Sequence, residues 1–291
     1  MDYVNPKELV QEIIVVAKRK SELSIGAILI RSILAGAFLG FATSLAFFVN
    51  AQGLPAIVGS LLFPVGFVML VLLGFELATG NFALLPAGLA AGQVSLGKLL
   101  RNWSWVYLGN LIGCAFYAVL FYLSVTNCGA AASGPLGDLL KQAAQKKTLG
   151  YMALGSSGWS TALIKGILCN WMVTTGTVLA LVSRSVIGKI VAMWLPILTF
   201  FAQGFEHSIV NMFVIPAGMM FGAPVSLRQW LVWNQLPVTL GNIVSGAFFT
   251  GYALYTTFGA QEMDGRDANK VNAVQNAEPH SVLDPKPEIA R

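Results

Sequence analysis

Two apolar stretches of this chain are each interrupted by polar residues, and the interruptions match. A helix that crosses a membrane needs about 20 apolar residues. Leu54–Gly92 is far longer than that and carries GFELATGN in its middle. Ile190–Gly222 is also too long and carries GFEHSIVN. Each reads as an apolar helix, a polar glycine-containing break, and a second apolar piece ending near a proline. Aligned at an offset of 130, residues 74–88 and 204–218 share seven of fifteen positions: Gly74/Gly204, Phe75/Phe205, Glu76/Glu206, Asn81/Asn211, Pro86/Pro216, Ala87/Ala217 and Gly88/Gly218. Chance gives about one at ordinary composition. A second match follows at an offset of 132, NWSWVYLGN (102–110) against NQLPVTLGN (234–242). The chain is an internal duplication of about 130 residues.

Only 11% of the residues are charged, against about 25% in soluble domains. That is too few to clothe a soluble surface. It excludes a disordered chain, a nucleic-acid-binding stripe and a disulfide scaffold, and leaves an all-α polytopic membrane protein. Four uninterrupted spans are predicted, Ala27–Asn50, Trp103–Thr126, Trp159–Ser183 and Leu236–Phe258. With the two interrupted stretches there are six spans, three per half, in repeats of about 27–126 and 159–258. Three is odd, so the halves run in opposite directions. That is the inverted-repeat plan of transporters and channels, with a site where broken helices meet at the midplane.

Outside the 27–258 pore domain, residues 1–26 read as an amphipathic helix on the membrane surface. Leu9, Ile13, Val16 and Leu23 recur at roughly helical spacing, and Lys18, Arg19 and Lys20 follow. The loop 127–158 is rich in Gly, Ala and Ser, with a short helix expected from Asp138 to Lys147. Residues 259–291 read as a disordered tail. Thirteen of the eighteen Lys and Arg side chains fall on the side of both termini and four on the other, with Lys165 inside a span. Both termini are therefore expected in the cytoplasm. Cys114, Cys128 and Cys169 form no metal or disulfide pattern.

Four ionisable side chains sit deep in apolar spans: Glu76, Glu206, His207 and Lys165. Such residues are costly in lipid and point to function. His207 aligns with Leu77, so the duplication does not require it. An imidazole exchanges protons near neutral pH and is suited to protonating a weak-acid anion in transit. Glu76 and Glu206 occur in both halves and are expected to accept backbone N–H groups freed by the breaks, with Asn81 and Asn211 doing the same on the far side. Lys165 either snorkels to the interface or lines a vestibule that concentrates anions. Asn170 and Thr79 are candidate partners for His207. Phe67 and Phe200, each a short distance before a break, are candidate pore residues. No P-loop, dinucleotide fingerprint, HExxH or serine-nucleophile motif is present. An intramembrane enzyme built on His207 and Glu206 would lack a nucleophile or metal set, and a non-conducting scaffold would show no flux for any anion.

At GFELATGN (74–81), NWSWVYLGNLIG (102–113), KGILCNW (165–171), GFEHSIVNMFVIPAGMM (204–220) and LPVTLGN (236–242) the sequence resembles the formate–nitrite transporter family, over most of residues 6–258. The resemblance implies a homopentamer of aquaporin-like protomers in a membrane, here a bacterial inner membrane, each with its own pore and no cofactor. It implies that His207 is the central histidine with Thr79 and Asn170 near it, and that Phe67, Leu77, Ala78 and Phe200 form the hydrophobic constrictions. The substrates it implies are small monovalent anions with a proton: formate and nitrite, or alternatively hydrosulfide, bicarbonate or a lactate-type carboxylate. Two departures stand out. Ala78 occupies a position where many members carry an aromatic, which implies a wider constriction. Leu154 falls where the family usually has a vestibule lysine, a role left to Lys165, Lys146 or Lys147.

Overall fold

The computed structural model describes residues 2–259; the tail expected beyond lies outside the described residues. The described chain is helical, with one isolated antiparallel bridge between Tyr3 and Ser183. Helix α1 (Pro6–Ser21) starts where the Asn5 side chain accepts the Lys7 and Glu8 N–H groups, with proline at its first position. Its buried face is Leu9, Val10, Ile13 and Ala17. Helices α2 (Ile25–Ala51), α6 (Leu96–Val125) and α8 (Gly155–Val182) are long and apolar enough to cross a membrane by length and composition. Ser24 and Ser95 cap the first two.

The first interrupted stretch forms α3 (Ala56–Leu62), α4 (Pro64–Leu72) and, after the break, α5 (Ala78–Ala90). The second forms α9 (Val186–Ala202) and α10 (Ser208–Met220). Pro86 and Pro216 do not end the second pieces; each lies inside its helix. The fourth uninterrupted stretch is helical as expected but not uniformly α. It runs from α11 (Leu227–Trp230) through π-helical Leu231–Gln235, α12 (Leu236–Val244), then π-helical Ser245–Tyr252 and Tyr255–Gly259. The long π segment lays Gly246 against α5, where a Cβ would fall 2.9 Å from that of Phe82.

The loop 127–158 differs from expectation. The helix expected from Asp138 to Lys147 is longer: α7 (Gly134–Ala153), twenty residues, occupies most of the loop. Its buried residues Leu140, Ala144, Thr148 and Tyr151 are spaced by four, four and three, one face of a helix. The small residues are there for close approach and not for flexibility. A Cβ on Gly218 of α10 would collide with Ala144, and a Cβ on Gly88 of α5 would sit 2.7 Å from Ala17 of α1. So α1 covers α5 as α7 covers α10. A helix outside the limits 27–126 and 159–258 thus packs on the second piece of each interrupted stretch.

Close approach also holds the long helices together, since lipid offers no hydrophobic drive to pair them. Gly36 and Gly113 bring α2 against α6, and Gly166 and Gly241 bring α8 against α12, each at backbone contact.

Candidate functional site

The two breaks have one architecture. Each first helix ends at a glycine in the left-handed region, Gly74 (φ 70°) and Gly204 (φ 64°), a conformation that side chains rarely adopt. The chain is then extended for three residues and re-enters a helix. The interruption spans only 73–77 and 203–207. Ala78, Thr79 and Asn81, read from sequence as part of the first break, already belong to α5.

Inside lipid, every backbone N–H released by a break must find an acceptor. Phe75 N–H and Phe205 N–H donate to the Leu70 and Phe200 carbonyls at 2.9 and 3.2 Å. Glu76 N–H and Glu206 N–H donate to the Arg31 and Lys165 carbonyls at 3.4 and 3.3 Å. Ala78 N–H donates to Oδ1 of Asn110 at 3.0 Å, and Ser208 N–H to Oδ1 of Asn242 at 2.9 Å. The Asn110 amide then donates to the Ser32 and Glu76 carbonyls, and the Asn242 amide to the Gly166 and Glu206 carbonyls. An asparagine serves where a carboxylate cannot, because it both accepts and donates. The role expected of Glu76 and Glu206, taking backbone N–H groups, belongs to Asn110 and Asn242. In the sequence this pair shows only as repeat identities in the two LGN strings.

The carboxylates instead hold cations. Lys20 Nζ donates to Glu76 Oε1 at 2.8 Å, and Lys147 Nζ donates to Glu206 Oε2 at 2.7 Å. Asn81 donates to Glu76 and to Asn102, and Asn211 donates to Glu206 and to Asn234, all within 2.9 Å. Asn102 and Asn234 return donors to the Lys20 and Lys147 carbonyls. The surface helices thus seal the breaks with ion pairs of matching position. Both carboxylates are buried, and these partners satisfy oxygens that would be costly to bury unpaired.

Of the lysines weighed from sequence, Lys147 reaches the break. Lys165 contributes its carbonyl there, while its half-buried side chain forms no ion pair with described residues. The sequence gives no hint of a role for Tyr151, whose hydroxyl donates to Glu206 Oε1 at 2.8 Å.

His207 is buried at the point where the two halves touch. Val210 N–H donates to its Nδ1 at 3.1 Å, so the imidazole caps α10 and Nδ1 carries no proton. Nε2 therefore holds the proton and donates to Oγ1 of Thr79 on α5 at 2.9 Å. Phe200 lies over the ring, centroids 5.7 Å apart and planes 26° apart. Asn170 is not bonded to His207. Its amide donates to the carbonyls of Thr79 at 3.2 Å and Asn242 at 2.6 Å, and its Oδ1 has no partner among the described residues. It fixes the Thr79 backbone, not the imidazole.

A cavity of about 420 Å3 opens on the α1 side of the first break, and Phe67 and Leu77 are in its wall. Ala78 is fully buried and is not among the residues lining it. On the other side Phe63 bridges Phe200, edge to face at 5.7 Å, and Phe201, stacked at 3.8 Å. His207 thus meets Thr79 at one edge and an aromatic ring on its face, and each break beside it holds a buried ion pair.

The family model described as Formate/nitrite transporter matches residues 7–256. A probable formate transporter of Methanothermobacter thermautotrophicus is 36% identical, over 88% of this chain and 97% of its own length. The formate channel BtFdhC of Bacillus thuringiensis is 32% identical, over 90% and 98%. A solved pentameric formate channel with formate bound superposes with a TM-score of 0.65 at 27% identity, covering 80% of this chain and 97% of that one. A solved FNT family ion channel superposes with a TM-score of 0.74 at 26% identity, covering 86% and 98%.

Proposed function

Since the chain belongs to the formate/nitrite transporter family, and is accordingly a multi-pass membrane transport protein, we propose that it carries small weak-acid anions, formate and nitrite foremost, with His207 coupling their passage to a proton. The observation that carries this reading is the double commitment of the imidazole: Nδ1 capping α10 and Nε2–H on Thr79. Both bonds are at the junction of the halves, in apolar surroundings.

The chemistry follows from the bonds. A bare anion cannot cross apolar rings without losing its hydration, which costs several kcal/mol. The neutral acid crosses cheaply. The resting imidazole is neutral, because a second proton would have to occupy Nδ1, where the Val210 N–H points. Protonation from water in the mouth breaks that cap, worth about 1 kcal/mol, so the imidazolium is short-lived. It gives its Nε2 proton to a carboxylate or nitrite oxygen and the neutral acid moves on; the proton left on Nδ1 then returns to water as Nε2 takes up another, and Nδ1 accepts the Val210 N–H again. Thr79 Oγ1 receives Nε2–H when no substrate does.

The protomers assemble as a homopentamer, a reading supported by the likeness to the solved pentameric formate channel. The two halves are antiparallel, and both termini face the cytoplasm on the thirteen-to-four cation asymmetry.

The test is formate and nitrite flux into proteoliposomes at two pH values, for the wild type and His207→Leu, the residue the first break has at that position. The variant is expected to fold and assemble but to lose the acceleration of uptake at low pH. Wild-type pH dependence in the variant would make His207 a helix cap and nothing more.

A further inference from the structure

The three cations at one break have counterparts at the other, and their identities differ. Lys20 and Lys147 occupy equivalent places on Glu76 and Glu206. Arg31 and Lys165 are equivalent because their carbonyls receive the N–H of those same glutamates. Arg19 and Lys146 precede the paired lysines and are both exposed. The cations about the first break are therefore Arg, Lys, Arg, and those about the second Lys, Lys, Lys.

On the α1 side, Arg19, Lys20 and Arg31 line one cavity of about 420 Å3 with Glu76, Phe67 and Leu77. Glu76 already holds Lys20 at 2.8 Å. Arg19 and Arg31 pair with no carboxylate among the described residues, and their side chains make no hydrogen bond there. Among the described residues the cavity thus holds a net charge of two positive units, both on guanidinium groups without a partner there. A guanidinium presents parallel N–H donors that match the two oxygens of a planar anion. An ammonium is a point charge that attracts any anion of its size. Charge alone would have been supplied as well by lysine.

We propose that Arg31, with Arg19, makes the α1-side mouth a selectivity site that retains planar two-oxygen anions, carboxylate or nitrite, over single-centre anions such as chloride and hydrosulfide. The three lysines about the second break raise the local concentration of anions without choosing among them. Selection is thus made before the anion reaches His207, in a cavity where the guanidinium can still be approached by a hydrated ion. This proposal rests on the transport reading above.

Proteoliposomes loaded by formate uptake in the presence of competing nitrite or chloride read it directly. The quantity is the ratio of the chloride to the nitrite concentration that halves uptake. In the double variant Arg19→Lys, Arg31→Lys, which keeps every charge, the ratio is expected to fall about tenfold, the loss of one bidentate contact. Lys146→Arg with Lys165→Arg is expected to raise it. Should the double variant fail to assemble, Arg31→Lys alone makes the same test, since that side chain has no described bond to lose. A ratio within about twofold of wild type, in variants that still take up formate, overturns the proposal and leaves the transport reading standing. Wild-type vesicles with no more uptake than protein-free ones would instead overturn that reading.

Discussion

The two breaks share a skeleton and differ in what is mounted on it. Each has a left-handed glycine, an asparagine that closes the backbone, a buried glutamate, and a lysine brought in by a surface helix. The first ends in Leu77, which enters α5 with no side-chain cap; the second ends in His207, which caps α10 with its ring. Glu76 has donors from Lys20 and Asn81, whereas Glu206 has Lys147, Asn211, Tyr151 and, at 3.4 Å, Asn234. What both halves keep holds the breaks open in lipid. What only one half has is free to do chemistry. Glu206, the residue that precedes His207 in the chain, is thus the more firmly fixed of the two carboxylates.

The comparison breaks if the shared parts prove unequal. Asn242→Leu strands Ser208 N–H and two carbonyls in a dry interior, and Asn110→Leu does the same for Ala78 N–H. At about 1–3 kcal/mol for each buried group left unpaired, both are expected to abolish the folded protein or to lower its melting temperature in detergent more than any of the carboxylate or tyrosine changes below. If one were tolerated, the breaks would not depend on the same device.

A smaller effect sharpens the difference. Glu206→Gln leaves Lys147 uncompensated and Glu76→Gln leaves Lys20 so. Each lysine is only partly buried, which keeps the cost to about 2 kcal/mol. With twice the donors, Glu206 is expected to lose more. Equal losses, measured as denaturation midpoints, would mean that the lysine alone matters. The smallest change is Tyr151→Phe, which removes one hydroxyl from Glu206 Oε1 and nothing from the first half. About 1 kcal/mol is expected, together with a shift in the pH profile of formate uptake. The shift separates a residue that positions Glu206 beside His207 from one that merely packs.

The sequence by itself determined the centre of each break, that Glu76, Glu206 and His207 are buried (it placed half-buried Lys165 with them), and that His207 stands alone. Those readings depend on local composition and on identity between two copies, and both are written along the chain. Its repeats gave Asn110 and Asn242 as matched residues without their task, because an asparagine thirty-two or thirty-four residues away comes to a break only when α6 packs on α2 and α12 on α8. The same packing brings Lys20 and Lys147 to their glutamates, across 56 and 59 residues. The surface helix α7 was legible only in part, since alanine and glycine mark a flexible loop in sequence and a close helix contact in the fold. Thr79 meets His207 across 128 residues; no spacing rule reaches that far. Lipid explains the division. It forces each released backbone group to find a partner, which leaves a polar residue as a visible mark in an apolar stretch. Which partner it finds is decided by the helix that packs beside it.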